Sequence, residues 1–173
     1  MQQRYALAVD ERVDSRLAFL TSFGLHQVTR LGTARSLAER FPDRLLAGKT
    51  GTTDDLRDSW FAGFDADHLA VVWVGRDDNR PSGLTGASGA LPIWAGLYRS
   101  LPGTNLDLEG PEGIEWAWID LRNGARSSED CAHALRMPFM AGTVPSRKSD
   151  CGGGVTDGLR RSWHWLQDLF GND

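Results

Sequence analysis

The chain has 173 residues, 40% of them hydrophobic and 24% charged, a globular composition that excludes a wholly disordered chain. Nineteen basic against twenty-three acidic residues leave a net charge of −4, the wrong sign for a protein that grips phosphate backbones. No run of apolar residues is long enough to span a membrane, and Met1-Gln2-Gln3-Arg4 does not open the apolar core of a signal peptide.

Residues 1–12 read as a short polar lead-in able to pair with a segment outside the chain. From Val13 to Leu31 the apolar residues Val13, Leu17, Leu20, Val28 and Leu31 keep helical spacing, and Gly32 stands where a C′ glycine ends a helix. A second short helix is expected over Ala34–Arg40, stopped by Pro42. Leu45–Thr53 begins apolar and turns small and polar. Ser59–Asp65 and His68–Arg76 are rich in aromatic and β-branched residues and read as strands joined by a tight hairpin at Ala66-Asp67. Leu69–Val74 is nearly all apolar, so this segment is expected to be an inner strand covered on both faces, although a buried helix shares the pattern. The result is a three-stranded antiparallel meander.

Asp77–Ser88 reads as a loop. Leu91, Trp94, Ala95, Tyr98 and Leu101 then give helical spacing, with Pro92 tolerable only near the helix start. After Pro102 the composition changes. Residues 103–113 are rich in Gly, Pro and acidic side chains, like a linker. Ile114–Leu121 is one further candidate strand. Residues 141–158 read as loop or disorder, and Trp163, Leu166, Leu169 and Phe170 mark a last short helix. Arg160-Arg161-Ser162-Trp163-His164-Trp165 within it suits either packing on its own body or a membrane surface. The expected class is α+β, with 1–102 as one unit and 103–173 as a small, irregular C-terminal extension.

Only two of the nineteen basic residues are lysines, Lys49 and Lys148. Lysine offers a compact ammonium whose pKa its surroundings can move, whereas arginine stays charged. Lys49 lies in Gly48-Lys49-Thr50-Gly51-Thr52-Thr53. A phosphate-binding P-loop requires a glycine where Asp43 stands, and the glycine-rich turn is missing. The other reading is the Lys-Thr-Gly box of serine enzymes that meet penicillin. Lys49 supplies positive potential and shares protons with a serine. Thr50 and Thr52 hydroxyls can bond a substrate carboxylate, Gly51 leaves room for a peptide, and the Thr52 N–H can face a developing oxyanion. Taken alone, three residues are equally a surface strand with a solvated lysine.

The surrounding motifs decide otherwise. Leu46-Ala47-Gly48-Lys49-Thr50-Gly51-Thr52-Thr53 is followed by Trp60-Phe61-Ala62-Gly63-Phe64. Then come Val72-Trp73-Val74-Gly75-Arg76-Asp77-Asp78-Asn79, Thr85-Gly86-Ala87-Ser88-Gly89-Ala90 and Pro92-Ile93-Trp94, with Gln27–Ala34 upstream. In this order and spacing, residues 13–102 resemble the C-terminal part of the transpeptidase domain of bifunctional class A penicillin-binding proteins. The tail, with Cys131, Cys151 and Trp165–Gly171, resembles the 1B type.

The resemblance implies a partial β-lactamase-like fold and serine acyl transfer in cell-wall cross-linking, on the periplasmic side of the inner membrane. It implies stem peptides and β-lactams as ligands and no metal or cofactor. It assigns catalysis to Lys49 and Thr52 and substrate binding to Thr50, Gly51, Thr52 and Thr53. Trp60 is expected to pack behind the strand.

The family also needs Ser-x-x-Lys and Ser-x-Asn. No serine of this chain begins either pattern, and only 48 residues precede Lys49. The chain is therefore expected to be a C-terminal piece, inactive alone, whose missing strands leave an edge and apolar faces open to dimerisation. Two alternatives stay open. One is a self-contained serine β-lactamase or carboxypeptidase, and the other a non-enzymatic module binding cell wall or a partner.

Cys131 and Cys151 with His133 offer three zinc ligands, without finger spacing. The oxidising compartment that the family implies favours a disulfide, whose loop of about twenty residues stabilises by about 3 kcal/mol. Two unpaired thiols are the third reading. Asp54, Asp55 and Asp58 suit a solvated turn better than a metal site.

Overall fold

The computed structural model describes residues 12–150. The first helix, α1, runs Ser15–Leu31 and starts at Asp14, whose carboxylate accepts the Arg16 N–H at 2.8 Å. Its end departs from the sequence expectation. Gly32 is extended, with φ −99°, and is no left-handed C′ glycine. It serves close approach instead, because a Cβ there would lie 3.0 Å from Val28 Cα. The second helix, α2, is short, Ser36–Arg40.

The meander forms as expected. β1 (Ala47–Thr52), β2 (Ser59–Phe64) and β3 (Leu69–Val74) are antiparallel and lie in that order. Thr50 faces Phe61 across the ladder, Gly51 faces Trp60, and Trp60 faces Trp73. One sheet face carries Phe61, Val72 and Val74 and packs beneath α3 (Ala90–Ser100). Phe61 meets Trp94 edge-on at 5.1 Å, and Trp94 stacks on Tyr98 at 3.6 Å. Such fully buried ring pairs add about 0.5–1.5 kcal/mol each beyond their buried area. Pro92 falls in the first turn of α3, where its missing N–H breaks no helical bond. The cap of α3 comes from another element: buried Ser59 on β2 accepts the Ala90 N–H at 2.8 Å and donates to the Thr85 carbonyl at 2.7 Å.

The other face is open, contrary to the expectation of a strand covered on both sides. Leu69, Val71 and Trp73 alternate along β3 at 73%, 55% and 45% exposure, and Trp60 is 42% exposed. β3 pairs only with β2, so among the described residues its second edge is free. The continuous apolar run marks a face that no element among the described residues covers.

Residues 101–106 are strapped across the base of the sheet. Arg44 donates to the carbonyls of Tyr98 and Leu101 at 2.8 and 2.7 Å, the Ala66 N–H to Thr104, and the Leu45 N–H to Asn105 Oδ1. Beyond the strap, in place of a single strand in an irregular region, stands a second antiparallel sheet. It comprises β4 (Ile114–Asp120), β5 (Ala125–Arg126) and β6 (Ala134–Met140), in the order β5-β4-β6. Trp116 of β4 meets Phe19 and Phe23 of α1 edge-on at 6.2 and 5.4 Å, and Arg136 lies 4.7 Å over its ring. Residues 147–149, expected as loop, run beside β5, with Arg126 N–H to Arg147 and Ser149 N–H to Arg126 at 2.8 Å each. Buried Asp120 ties this corner. It accepts from Arg122 and from Ser149, and the Arg122 guanidinium holds its carboxyl well below the usual carboxylate range. Residues 1–11 of the lead-in expected over 1–12, and the expected helix from Trp163, lie outside the described residues.

Candidate active site

β1 is an edge strand. It pairs with β2 on one side and with no strand on the other among the described residues, so an extended peptide has a ladder to join. The strand is held from behind by α1. His26 Nδ1 lies 2.7 Å from the Leu46 carbonyl, and Thr29 Oγ1 donates to the same oxygen at 2.9 Å. Burial pushes the His26 imidazole below its ordinary pKa, so it sits neutral inside the fold.

Alternation along β1 separates its side chains. Lys49 is exposed on the open face, which it shares with Trp60, Val71 and Trp73. Its ammonium donates once, to the Thr50 carbonyl at 3.0 Å, and keeps two N–H donors for other acceptors. Trp60 therefore does not pack behind the strand. It stands on the Lys49 face, paired with Trp73 at 6.1 Å, and a Cβ on Gly51 would lie 3.3 Å from its Cβ.

Thr50 and Thr52 lie on the α3 side. Thr50 is 5% exposed, and its hydroxyl is 2.7 Å from that of Thr33, in the turn after α1. Thr52 Oγ1 accepts the Gly86 N–H at 2.9 Å, which leaves its own proton to donate outward. Gly86 can come this close only without a side chain, since a Cβ would lie 2.6 Å from the Trp60 carbonyl and 2.8 Å from Thr50 Cβ.

Thr53 stands apart from this group. Its hydroxyl donates to Asp58 Oδ2 at 2.9 Å and accepts the Asp58 N–H at 2.8 Å, closing the turn after β1. Asp58 also accepts Trp73 Nε1–H at 2.9 Å. This turn holds Asp55 and Leu56 at φ 60° and 54°, a left-handed pair of non-glycine residues. Asp58 is thus a turn anchor, and among the described residues no group of three or more acidic, His or Cys side chains is placed to hold a metal. Cys131 is buried and disulfide-bonded, which takes its sulfur from metal binding, while Cys151 lies outside the described residues.

Sequence reading missed Thr33 and Gly86. Thr33 and Gly86 lie inside stretches already singled out, Gln27–Ala34 and Thr85–Ala90, so their clustering around one lysine strand was the available signal. The arrangement offers an open strand edge, an exposed ammonium, and two hydroxyls each held by a neighbour. That suits binding of an extended peptide with a carboxylate end, beside a reacting group supplied to the lysine face.

No protein-family model matches the chain. It is 37% identical to penicillin-binding protein 1B of Vibrio cholerae over 157 residues, which is 91% of this chain and 20% of that protein. It is 41% identical to penicillin-binding protein 1B of Escherichia coli over 111 residues, 64% of this chain and 13% of that one. The crystal structure of penicillin-binding protein 1A from Haemophilus influenzae superposes with a TM-score of 0.65 at 31% identity, covering 80% of this chain and 22% of that chain. The chain thus spans about a fifth of the length of the curated relatives that match most of it.

Proposed function

We infer that this chain, a homologue of part of the class A penicillin-binding proteins, forms one wall of a serine acyl-transfer site for peptides ending in D-alanyl-D-alanine. The observation that carries this reading is the Lys49–Thr52 run on an edge strand whose second edge is unpaired among the described residues. In the reaction, a serine hydroxyl attacks the carbonyl of the penultimate D-alanine. The amide bond breaks, and the terminal D-alanine leaves as an amine that takes up a proton. An amine of a neighbouring stem then attacks the ester, and the serine recovers its proton. A β-lactam acylates the same serine and stays.

Within these steps Lys49 supplies the ammonium that steadies the serine alkoxide and shares its proton. Thr50 and Thr52 hydroxyls bind the terminal carboxylate, the Thr52 N–H faces the oxyanion, and Gly51 gives clearance. No Ser-x-x-Lys or Ser-x-Asn lies in the 173 residues, so the nucleophile comes from another polypeptide segment, and this chain alone does not turn over. That segment docks on the open face, because Lys49 needs the serine within hydrogen-bond reach and the apolar residues around Lys49 need cover. The site works on the periplasmic side of the bacterial inner membrane. The disulfide at Cys131 suits that oxidising compartment. Among the described residues no helix is long and apolar enough to cross a membrane.

The test is the intact mass of the chain after excess benzylpenicillin, alone and then joined to the Ser-x-x-Lys segment of a relative. An adduct only in the second case is the expected result. A stoichiometric adduct on the chain alone would place a nucleophile among these residues and favour a self-contained serine hydrolase. No adduct in either case would leave the non-enzymatic module as the better reading.

A further inference from the structure

The hydroxyls of Thr33 and Thr50 are 2.7 Å apart, on elements 17 residues distant in sequence. Thr50 is nearly buried, Thr33 half-buried. A threonine hydroxyl has one proton and two lone pairs, and an ionised carboxylate only accepts. Two hydroxyls in contact share one proton along the line between them. If Thr50 donates to Thr33, Thr50 presents lone pairs to a carboxylate and repels it. If Thr33 donates to Thr50, the Thr50 proton is free for the carboxylate, and a hydroxyl that is already accepting becomes a stronger donor.

Thr52 is in the second situation by construction. It accepts from Gly86 N–H, a donor that cannot reverse, at 2.9 Å. The pair Thr33–Thr50 is the side-chain counterpart of Gly86–Thr52, and both supported oxygens lie on one side of β1.

We propose that Thr33 is a positioning residue for carboxylate recognition: it donates to Thr50 and so fixes Thr50 as a donor toward the terminal carboxylate of peptide or β-lactam. The proposal rests on the carboxylate-binding reading of β1. Thr33 touches no reacting atom and acts through Thr50. The turn that carries it is set by Gly32, packed on Val28, and by the Arg35 N–H bonded to the Gly32 carbonyl at 3.1 Å.

The experiment uses the assembled protein that contains the serine. Acylation rates are measured with benzylpenicillin, which bears the carboxylate, and with its methyl ester, which does not. Thr33→Val keeps the shape and removes the hydroxyl, while Thr33→Ser keeps the hydroxyl. The expected result is a loss of about five- to tenfold in the benzylpenicillin rate for Thr33→Val, little change with the ester, and near wild-type behaviour for Thr33→Ser. A role in folding alone would slow both probes together, and equal losses on both would overturn the proposal. Unchanged benzylpenicillin acylation in Thr33→Val would overturn it as well. If the wild-type protein is acylated by neither probe, the reading of the site itself fails, and the proposal with it.

Discussion

The Thr53 hydroxyl and the Asp58 carboxylate hold each other, with Thr53 donating at 2.9 Å and the Asp58 N–H returning a bond to the same hydroxyl at 2.8 Å. Because Asp58 also takes the Trp73 indole N–H, one carboxylate links the turn after the lysine strand to the far edge of the sheet. Asp58→Ala should destabilise the chain by about 1–2 kcal/mol and change Trp73 fluorescence. Thr53→Val should produce part of the same loss. Chemical denaturation of the two variants and the double variant checks this, and the double should fall short of the sum because the pair acts as a unit.

Lys49 is exposed and donates only to a carbonyl of its own strand, so its removal should leave folding intact. In the assembled protein, Lys49→Ala should lower cross-linking by about 10²–10⁴-fold with an unchanged melting curve. Unchanged cross-linking would remove Lys49 from the site.

The core beneath α3 has no slack at Gly63. A Cβ there would stand 2.6 Å from Phe61 Cε1 and 2.8 Å from Trp94 Cζ2. Gly63→Ala should cost about 1–3 kcal/mol, and Trp94→Ala about 3–5 kcal/mol by leaving a cavity beside Tyr98. Urea midpoints order the two.

His26 is buried and neutral, with its pKa below the ordinary value because burial disfavours the charged ring. Unfolding restores a pKa near 6.5. Below that pH the unfolded chain binds a proton that the folded chain refuses, so stability is full above about pH 6.5 and falls as pH drops toward the depressed folded value. Denaturation at pH 7.5 and 5.5 should show this loss, and His26→Gln should flatten it. Asp120 acts lower on the scale: its carboxyl is held down by Arg122, so its contribution is present above the usual carboxylate range and is lost only in stronger acid.

The uncovered side of the first sheet should make the isolated chain associate. Light scattering is expected to show a dimer or larger species, and Val71→Asp, at a site 55% exposed, should shift it toward monomer without loss of folding. A clean monomer of the unaltered chain at high concentration would count against this.

Local pattern carried much of the first sheet. The spacing of Val13, Leu17, Leu20, Val28 and Leu31 marks a helix that forms, but Val13 and Leu17 are exposed and the buried stripe of α1 is Phe19, Phe23 and Val28. The β-branched richness of Leu69–Val74 and the spacing of Trp94 and Tyr98 point to the elements that form. What was illegible depends on neighbours. An all-apolar strand reads alike whether covered or bare, and Leu69, Val71 and Trp73 turn out bare. β6 holds Arg136 and Pro138, and β5 is two residues long, so neither has strand-like composition to read. Within the site, the lysine box was visible because its residues are consecutive. The partners Thr33 and Gly86 lie 17 and 34 residues from the hydroxyls they hold, and only folding reveals such pairings.

The strap over 101–106 changes what a boundary near residue 102 means. By composition it divides two units, yet Arg44, Leu45 and Ala66 of the first sheet's base all bond to it. Cutting there would strip partners from both sides of the cut. A truncation ending at 102 should melt earlier than the whole chain, and a protease should find the strap a poor substrate despite its glycine and proline.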